Sequence, residues 1–217
     1  SLVVVLAYRN PDTGAVSAKY WVVSADPAAN PPPPTAGYRY IRLHILNAGS
    51  DIGYTITPEI QFAEKQNGNL VWLQNGTAGQ IKTIGTHNVT FCPTKPANDT
   101  TTVCYTSSVY SSDYTADKAF NNTIDLGWVT AAGSFNTTIP YAAKRTNTPA
   151  SEFMMIDFGA QPIALAGYRV TLYSSPNYSG YSYDVYGSAN GTAWTQIPGA
   201  QGAFTTAPAT RVFEKTW

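Results

Sequence analysis

A two-residue alternation recurs along this chain and limits what it can fold into. It runs from Tyr38 to Ile45 (YRYIRLHI), from Gly167 to Leu172 (GYRVTL) and from Tyr181 to Tyr186 (YSYDVY). Alternation of this kind sends successive side chains to opposite faces, so each run predicts a half-buried β-strand. Charged residues make up only 12% of the 217 and cancel to zero net charge, while Gly, Pro, Ser, Thr, Asn and Tyr are abundant. Such a chain has little from which to build surface helices; it predicts short strands joined by polar turns. A neutral chain without a basic run also argues against nucleic acid or an anionic membrane as the main partner.

The amino terminus differs from the rest of the chain. Leu2 to Ala7 and Ala18 to Ser24 are β-rich apolar runs around Asn10-Pro11-Asp12-Thr13-Gly14, a strong turn signal, and together they predict a β-hairpin. An isolated hairpin is marginal in water, so this one is expected to pack on another surface. The prolines Pro31 to Pro34 cannot join a sheet interior and favour an extended spacer. The expected organisation is a hairpin arm over 1–25, a proline-rich linker over 26–37 and one large domain over 38–217. The longest apolar run, Leu2 to Ala7, is too short for a membrane span and lacks the features of a secretion signal. Ser1 fits a start from which methionine has been removed, which leaves export through a cleaved signal, or release at cell lysis as for a virion protein.

Further strands are expected at Ile56 to Phe62, at Leu70 to Leu73 and Ile81 to Ile84 around Asn75-Gly76, and at Thr210 to Phe213. Thr130 to Ala150 reads as a long polar loop that holds the basic pair Lys144-Arg145. The two cysteines, Cys92 and Cys104, flank a short loop between extended runs. A hairpin there would bring them within bonding range, so a disulfide is favoured over two half-buried thiols.

Five blocks occur in a recognisable order: Ser107-Ser108-Val109-Tyr110, Ala119-Phe120-Asn121-Asn122, Trp128, the strand Phe153-Met154-Met155-Ile156-Asp157-Phe158-Gly159, and Ser188-Ala189-Asn190-Gly191-Thr192-Ala193-Trp194. This order resembles the discoidin, or coagulation-factor type C, family of galactose-binding-like domains. The strand Tyr38 to Ile45 and the Glu59-Ile60-Gln61-Phe62 segment precede the serine block here, whereas in most such domains they close the chain. That order is similar to modules of phage structural proteins, and the resemblance covers Tyr38 to Trp217. It implies an all-β, antiparallel jelly-roll β-sandwich that binds ligands in loops at one end. Trp128 and Trp194 match core positions of the family. The family's common structural ion, calcium, would be held by Glu59, Asn121 and Asp125, although the aspartate expected at Asn121 is replaced by an amide.

Enzyme chemistry has little support. His44 and His87 are the only histidines, and no nucleophile elbow, phosphate loop or metalloprotease helix motif is present. Asn-x-Ser/Thr sequons begin at Asn75, Asn88, Asn98, Asn121, Asn136, Asn177 and Asn190, which an Asn- and Thr-rich chain generates by chance and turn preference. Sugar binding needs aromatic faces for C–H patches, and amides or charged groups for hydroxyls. The candidate binding residues are Tyr110, Tyr114, Tyr141, Lys144, Arg145, Asn177, Tyr178 and Tyr181, although any single tyrosine is as easily a surface cap. The expected function is a carbohydrate-binding adhesion module of a phage or phage-like virion. It would bind host-cell surface glycan and join other virion proteins through the arm in multiple copies. The alternatives are a structural decoration protein without a ligand, and the carbohydrate-binding module of a secreted, extracellular bacterial protein.

Removing residues 1–24 is expected to leave the large domain folded and to abolish incorporation into the parent assembly. Normal occupancy of the truncated protein in purified particles would dismiss the arm as an attachment device.

Overall fold

The computed structural model describes residues 2–9, 16–23, 37–48, 54–76, 82–94, 99, 101–131, 152–175, 178–204 and 206–217. The chain divides into two compact units, Ser1–Pro32 and Pro33–Trp217. In the first, β1 (Leu2–Arg9) pairs antiparallel with β2 (Val16–Val23), Leu2 opposite Val23 and Arg9 opposite Val16. The turn expected at Asn10 to Gly14 and the proline run lie outside the described residues.

The second unit is all-β and sandwich-like. Its strands are β3 (Tyr40–Ala48), β4 (Ile56–Thr57), β5 (Glu59–Gln66), β6 (Asn69–Trp72), β7 (Lys82–Ile84), β8 (His87–Phe91), β9 (Trp128–Val129), β10 (Glu152–Asp157), β11 (Leu165–Thr171), β12 (Gly180–Ser188), β13 (Thr195–Gln196), β14 (Gly202–Ala203) and β15 (Val212–Thr216). A 3-10 turn, Ala116–Phe120, precedes β9. A large sheet has the order β13-β12-β3-β10-β8-β7, with β14 also on β12, and a smaller one has the order β15-β11-β5-β6. The pairings that build both sheets are antiparallel.

Alternation assigns the faces as the sequence predicts. Ile41, Leu43 and Ile45 of β3, Met154 and Ile156 of β10, and Tyr183 and Val185 of β12 share one core with Ile60 and Phe62 of β5 and Tyr168 and Val170 of β11. Phe120 and Trp128, both almost wholly buried, fill that core from the 3-10 turn and β9. Each such ring contributes about 2–3 kcal/mol by leaving water.

Strand β10 departs from simple alternation because both of its faces are covered. Phe153 and Met155 join Tyr40 and Cys92 in a second apolar cluster, against which Cys104, Tyr105 and Trp194 pack. This is why Phe153 to Ile156 is an unbroken apolar run. Cys92 and Cys104 are joined by a disulfide with Cα atoms 5.1 Å apart. Trp194, which the resemblance placed in the core, is half-buried over this second cluster instead, with the Arg42 guanidinium 3.9 Å from its ring centroid.

The expected strand from Ile56 to Phe62 is split. β4 pairs with β9, whereas β5 pairs with β11, and Pro58, which has no N–H to give a ladder, stands at the switch. Gly127 lies against this switch at φ +56, where an added Cβ would sit 2.1 Å from the Thr57 carbonyl oxygen. Only glycine fits there. The β5–β6 turn is Asn67-Gly68, both with positive φ, while β6 and β7, expected around an Asn75-Gly76 turn, belong to different sheets. Asn75 and Gly76 instead bridge onto β7, with Gly76 N–H donating to the Thr83 carbonyl at 2.7 Å.

Replacing both cysteines, Cys92→Ser with Cys104→Ser, is expected to lower stability by about 3 kcal/mol, because so short a crosslink restricts the unfolded chain. Denaturant midpoints measured with and without reductant test this. An unchanged midpoint in the double variant would show that the covering loop needs no crosslink.

Candidate functional site

One end of the second unit gathers the loops. β11 ends at Thr171, opposite the starts of β5 at Glu59 and of β15 at Val212. β12 begins at Gly180, opposite the end of β3 at Ala48. Segments carrying Tyr54, Tyr110, Tyr114, Tyr173, Tyr178 and Arg211 therefore adjoin this end.

Five tyrosines form a continuous series of rings there. Tyr114 lies 6.2 Å from Tyr110, Tyr110 lies 5.7 Å from Tyr54, Tyr54 lies 5.3 Å from Tyr178, and Tyr178 lies 6.1 Å from Tyr173, all centroid to centroid. Tilted and edge-on rings at these spacings attract one another through their quadrupoles. Tyr110 is 55% exposed, while Tyr54, Tyr114, Tyr173 and Tyr178 are half-buried, so the series presents faces and edges to solvent. Burial first, and then the neighbouring Tyr178 phenol, raise the pKa of Tyr54 above the ordinary phenol value.

The backbone holds this series in place. Tyr110 N–H donates to the Val129 carbonyl at 2.8 Å, and Val129 N–H donates to the Tyr114 carbonyl at 3.3 Å. Just before it, Ser107 and Ser108 hydroxyls both donate to Glu152 Oε2 at 2.5 Å, and the Trp128 indole N–H donates to the Ser108 carbonyl at 3.0 Å. The loop is thereby fixed to β9 and β10. Its backbone would lose little further entropy on binding a ligand.

Of the expected binding residues, Tyr110, Tyr114 and Tyr178 come together in this series. Tyr181 does not join it: its ring packs at 4.9 Å on Phe204, which in turn meets Phe213. Tyr141, Lys144, Arg145 and Asn177 lie outside the described residues. Sequence reasoning missed Tyr54 and Tyr173. Both flank strand ends, and antiparallel order alone would have placed them at the loop end.

Beside the tyrosines is a cavity of about 530 Å³, lined among others by Pro58, Ile124, Asp125, Tyr173 and Arg211. Ile124 is 81% exposed at its rim. Arg211 has φ +54, a left-handed conformation that a non-glycine residue keeps only where its surroundings over-determine it. Here its N–H donates to the Pro208 carbonyl at 2.8 Å and its carbonyl accepts from Leu172 N–H at 2.7 Å.

Glu59, Asn121 and Asp125 meet in an adjoining corner. Glu59 Oε1 accepts from Asn75 Nδ2 at 2.5 Å, and its Oε2 accepts from the Asn121 N–H at 3.3 Å. Asp125 Oδ2 accepts from the Thr123 hydroxyl at 3.0 Å and from Asn121 Nδ2 at 3.5 Å, while Asp125 Oδ1 accepts from Gly127 N–H at 2.8 Å. Asn75 Oδ1 is buried in the same corner without a hydrogen-bond partner among the described residues. Burial pushes the Glu59 carboxyl up to about 7, against the opposing pull of its amide donors. Among the described residues, no three His, Cys, Asp or Glu side chains gather as a ready metal cluster.

Comparisons with family models, with curated proteins and with solved structures each give no match, so the meaning of this site rests on its own geometry and chemistry.

Glu59 also predicts a pH dependence. Its pKa rises from the ordinary 4.5 to about 7 on folding, so the folded protein holds more protons than the unfolded chain between those values. The stability contributed by protonated Glu59 is complete below about pH 4.5 and declines as pH rises towards 7. Glu59→Gln is expected to remove that decline in thermal midpoints measured across the window. An identical pH profile in the variant would show that Glu59 is ionised in the folded state.

Proposed function

We propose that this chain is a carbohydrate-binding adhesion module whose sugar site is the tyrosine-lined loop end. The observation that carries this reading is the ring series from Tyr114 through Tyr110, Tyr54 and Tyr178 to Tyr173. Sugars offer apolar C–H faces edged by hydroxyls. A row of phenols meets both, with ring faces for stacking and hydroxyls for hydrogen bonds. Rigid tyrosines supply contact area at low entropy cost, and pinned loops lower that cost again.

The resemblance to discoidin-like domains supports the same reading and carries the finer architecture, a jelly roll with a ligand end. It also carries the setting, a phage or phage-like virion protein joined to its particle by the N-terminal hairpin. An open row of rings buries little ligand surface, so each site is weak, and many copies on one particle would multiply its effect.

Calcium belongs to this proposal as a structural ion. Glu59, Asp125 and the amide oxygens of Asn121 and Asn75 are the oxygens available in that corner. The buried, unpartnered Asn75 Oδ1 is the observation that fits a cation there. Bound calcium would neutralise the Glu59 carboxylate and brace the 121–127 loop under the cavity rim. Because it needs ionised Glu59, calcium should raise the thermal midpoint more at about pH 8 than at about pH 5. An equal effect at both pH values would place any bound ion elsewhere.

A glycan array probed with the multimeric protein tests the sugar site. Tyr54→Ala with Tyr178→Ala is expected to weaken binding about tenfold or more, since each lost stacking ring costs about 0.5–1.5 kcal/mol. Tyr181→Ala should have little effect. Binding that survives the tyrosine pair would move the site, and a folded wild-type protein that binds no glycan would leave a decoration protein.

A further inference from the structure

The outer face of the small sheet carries a second cavity, of about 480 Å³, built as two cross-strand rows. Core residues Ile60, Phe62, Tyr168 and Val170 point inwards, so their neighbours on β5, β11 and β15 point out. One row is Gln61, Arg169 and Glu214, and the next is Glu59, Thr171 and Val212. Thr171, Thr210 and Val212 line both this cavity and the one beside Tyr173, so the two adjoin and together reach from the Arg169 row to Tyr173. The four residue steps from Arg169 to Tyr173 span ~13 Å of extended chain, and the ring of Tyr178 lies a further 6.1 Å from that of Tyr173. That path is longer than a single sugar ring.

The groups on its floor are held in place. Arg169 Nε donates to Glu214 Oε2 at 2.6 Å, and the Arg169 guanidinium stacks 3.7 Å from the Trp72 ring centroid. Gln61 is engaged at both ends of its amide, with Oε1 accepting from Arg169 Nη1 at 3.5 Å and Nε2 donating to the Leu73 carbonyl at 3.0 Å. The positive charges along the groove are offset: Arg169 is paired with Glu214, and Arg211 shares its cavity with Asp125. Glu59 adds a carboxyl to the lining and no positive charge. A polyanion would find no net positive potential there and gain nothing from counterion release. Fixed, mutually neutralised donors and acceptors suit a polymer of hydroxyls.

We infer that the groove continuing from the tyrosine end over Thr171 and Thr210 to the Gln61–Arg169–Glu214 row binds an internal stretch of a linear, neutral polysaccharide. This rests on the sugar-binding reading of the tyrosines and adds the polymer's course and charge. A ligand that lies along the groove gains contacts with each ring added. A terminal sugar held only by the tyrosines gains none.

Calorimetric titration with neutral oligosaccharides of defined length tests this. The probes are malto-, cello-, chito- and galacto-oligosaccharides from the monosaccharide to the hexasaccharide, each titrated into the full chain. For a series that binds, affinity is expected to rise about tenfold or more from the shortest bound member to the hexasaccharide. Thr210→Trp, an exposed turn position that both cavities share, should plug the groove and abolish that rise while leaving the shortest member bound as in wild type. Thr171→Trp is the second plug, and circular dichroism confirms the fold of each. Tyr54→Ala with Tyr178→Ala should instead weaken every length. Affinity independent of length in the wild type, or a rise that persists in both folded plug variants, would overturn the groove while leaving the tyrosine site standing. Tighter binding of dextran sulfate than of dextran would overturn its neutrality. Binding of no probe at any length would remove the sugar-binding reading and the groove together.

Discussion

Glu152 Oε2 accepts hydrogen bonds from Ser107 and Ser108, and the placement of the loop end depends on this junction. Ser108 and Glu152 are 44 residues apart along the chain. Ser107 makes the junction reciprocal: its N–H donates to the Phe153 carbonyl at 2.9 Å, and its Oγ accepts from Phe153 N–H at 2.8 Å. The Ser108 hydroxyl also accepts from Ala131 N–H at 3.0 Å, and its carbonyl receives the Trp128 indole. One carboxylate and two hydroxyls thus satisfy the polar atoms of a segment that buries Trp128 and presents Tyr110. Unpaired, the same groups would each cost about 1–3 kcal/mol in so buried a place. Burial raises the pKa of Glu152 while the two serine donors lower it, with burial the larger effect.

The junction matters because the large sheet buries both of its faces around β3 and β10. Inward, Ile41, Leu43 and Met154 meet the main core; outward, Tyr40, Phe153 and Met155 meet the disulfide-closed segment. The outward face is not purely apolar. His44 is stacked on Phe153 at 5.1 Å and tilted against Tyr186 at 4.8 Å, and burial, with help from the Arg42 charge, lowers its pKa to about 3. It is therefore a neutral, packed ring in the physiological range. Arg42 keeps its charge among the rings of Trp194, Phe153 and Tyr105, at 3.9, 4.4 and 5.3 Å. Aromatic faces are one of the few apolar surroundings that accept a guanidinium. The polar residues Arg42 and His44 of the alternating Tyr38–Ile45 run are thus buried by aromatic stacking rather than left in water.

Much of this was legible in the sequence, for a physical reason. Period-two alternation is local, so β3, β11 and β12 could be read directly, and the faces of Ile41 and Tyr168 came with them. Elements set by long-range partners could not be read this way. The Ile56–Phe62 run looks like one strand, yet it divides at Pro58 because β4 finds β9 while β5 finds β11. Trp194 looks like core by its motif, but it is half-buried, packed on the second cluster and against Arg42 from a distant strand. The site shows the same division. Tyr110 and Tyr178 stand out because they lie in tyrosine-rich loops, whereas Tyr54 and Tyr173 join them only through strand order. Tyr181 looks equivalent in sequence, but it lies at the start of β12 and turns towards Phe204.

Electrostatics decide which forces remain for recognition. Among the described residues, Arg39 pairs with Asp157, Lys82 with Asp117, Arg169 with Glu214, and His87 with Glu64. Lys82 shows how fully such a charge is absorbed: nearly buried, it reaches Asp117 Oδ2 at 3.0 Å and the Asp117 carbonyl at 2.7 Å, tying β7 to the 3-10 turn. With the charges of Arg39, Lys82 and Arg169 matched by carboxylates and no net charge, the chain has little long-range field with which to steer a partner. What its loop end offers is short-range: ring faces, hydroxyls and paired side chains already fixed by their neighbours. Interactions of this kind select shape and hydroxyl pattern at contact distance, and they vary little with ionic strength. On the proposed sugar-binding reading, a surface built in this way suits an uncharged, hydroxyl-rich polymer better than a charged one.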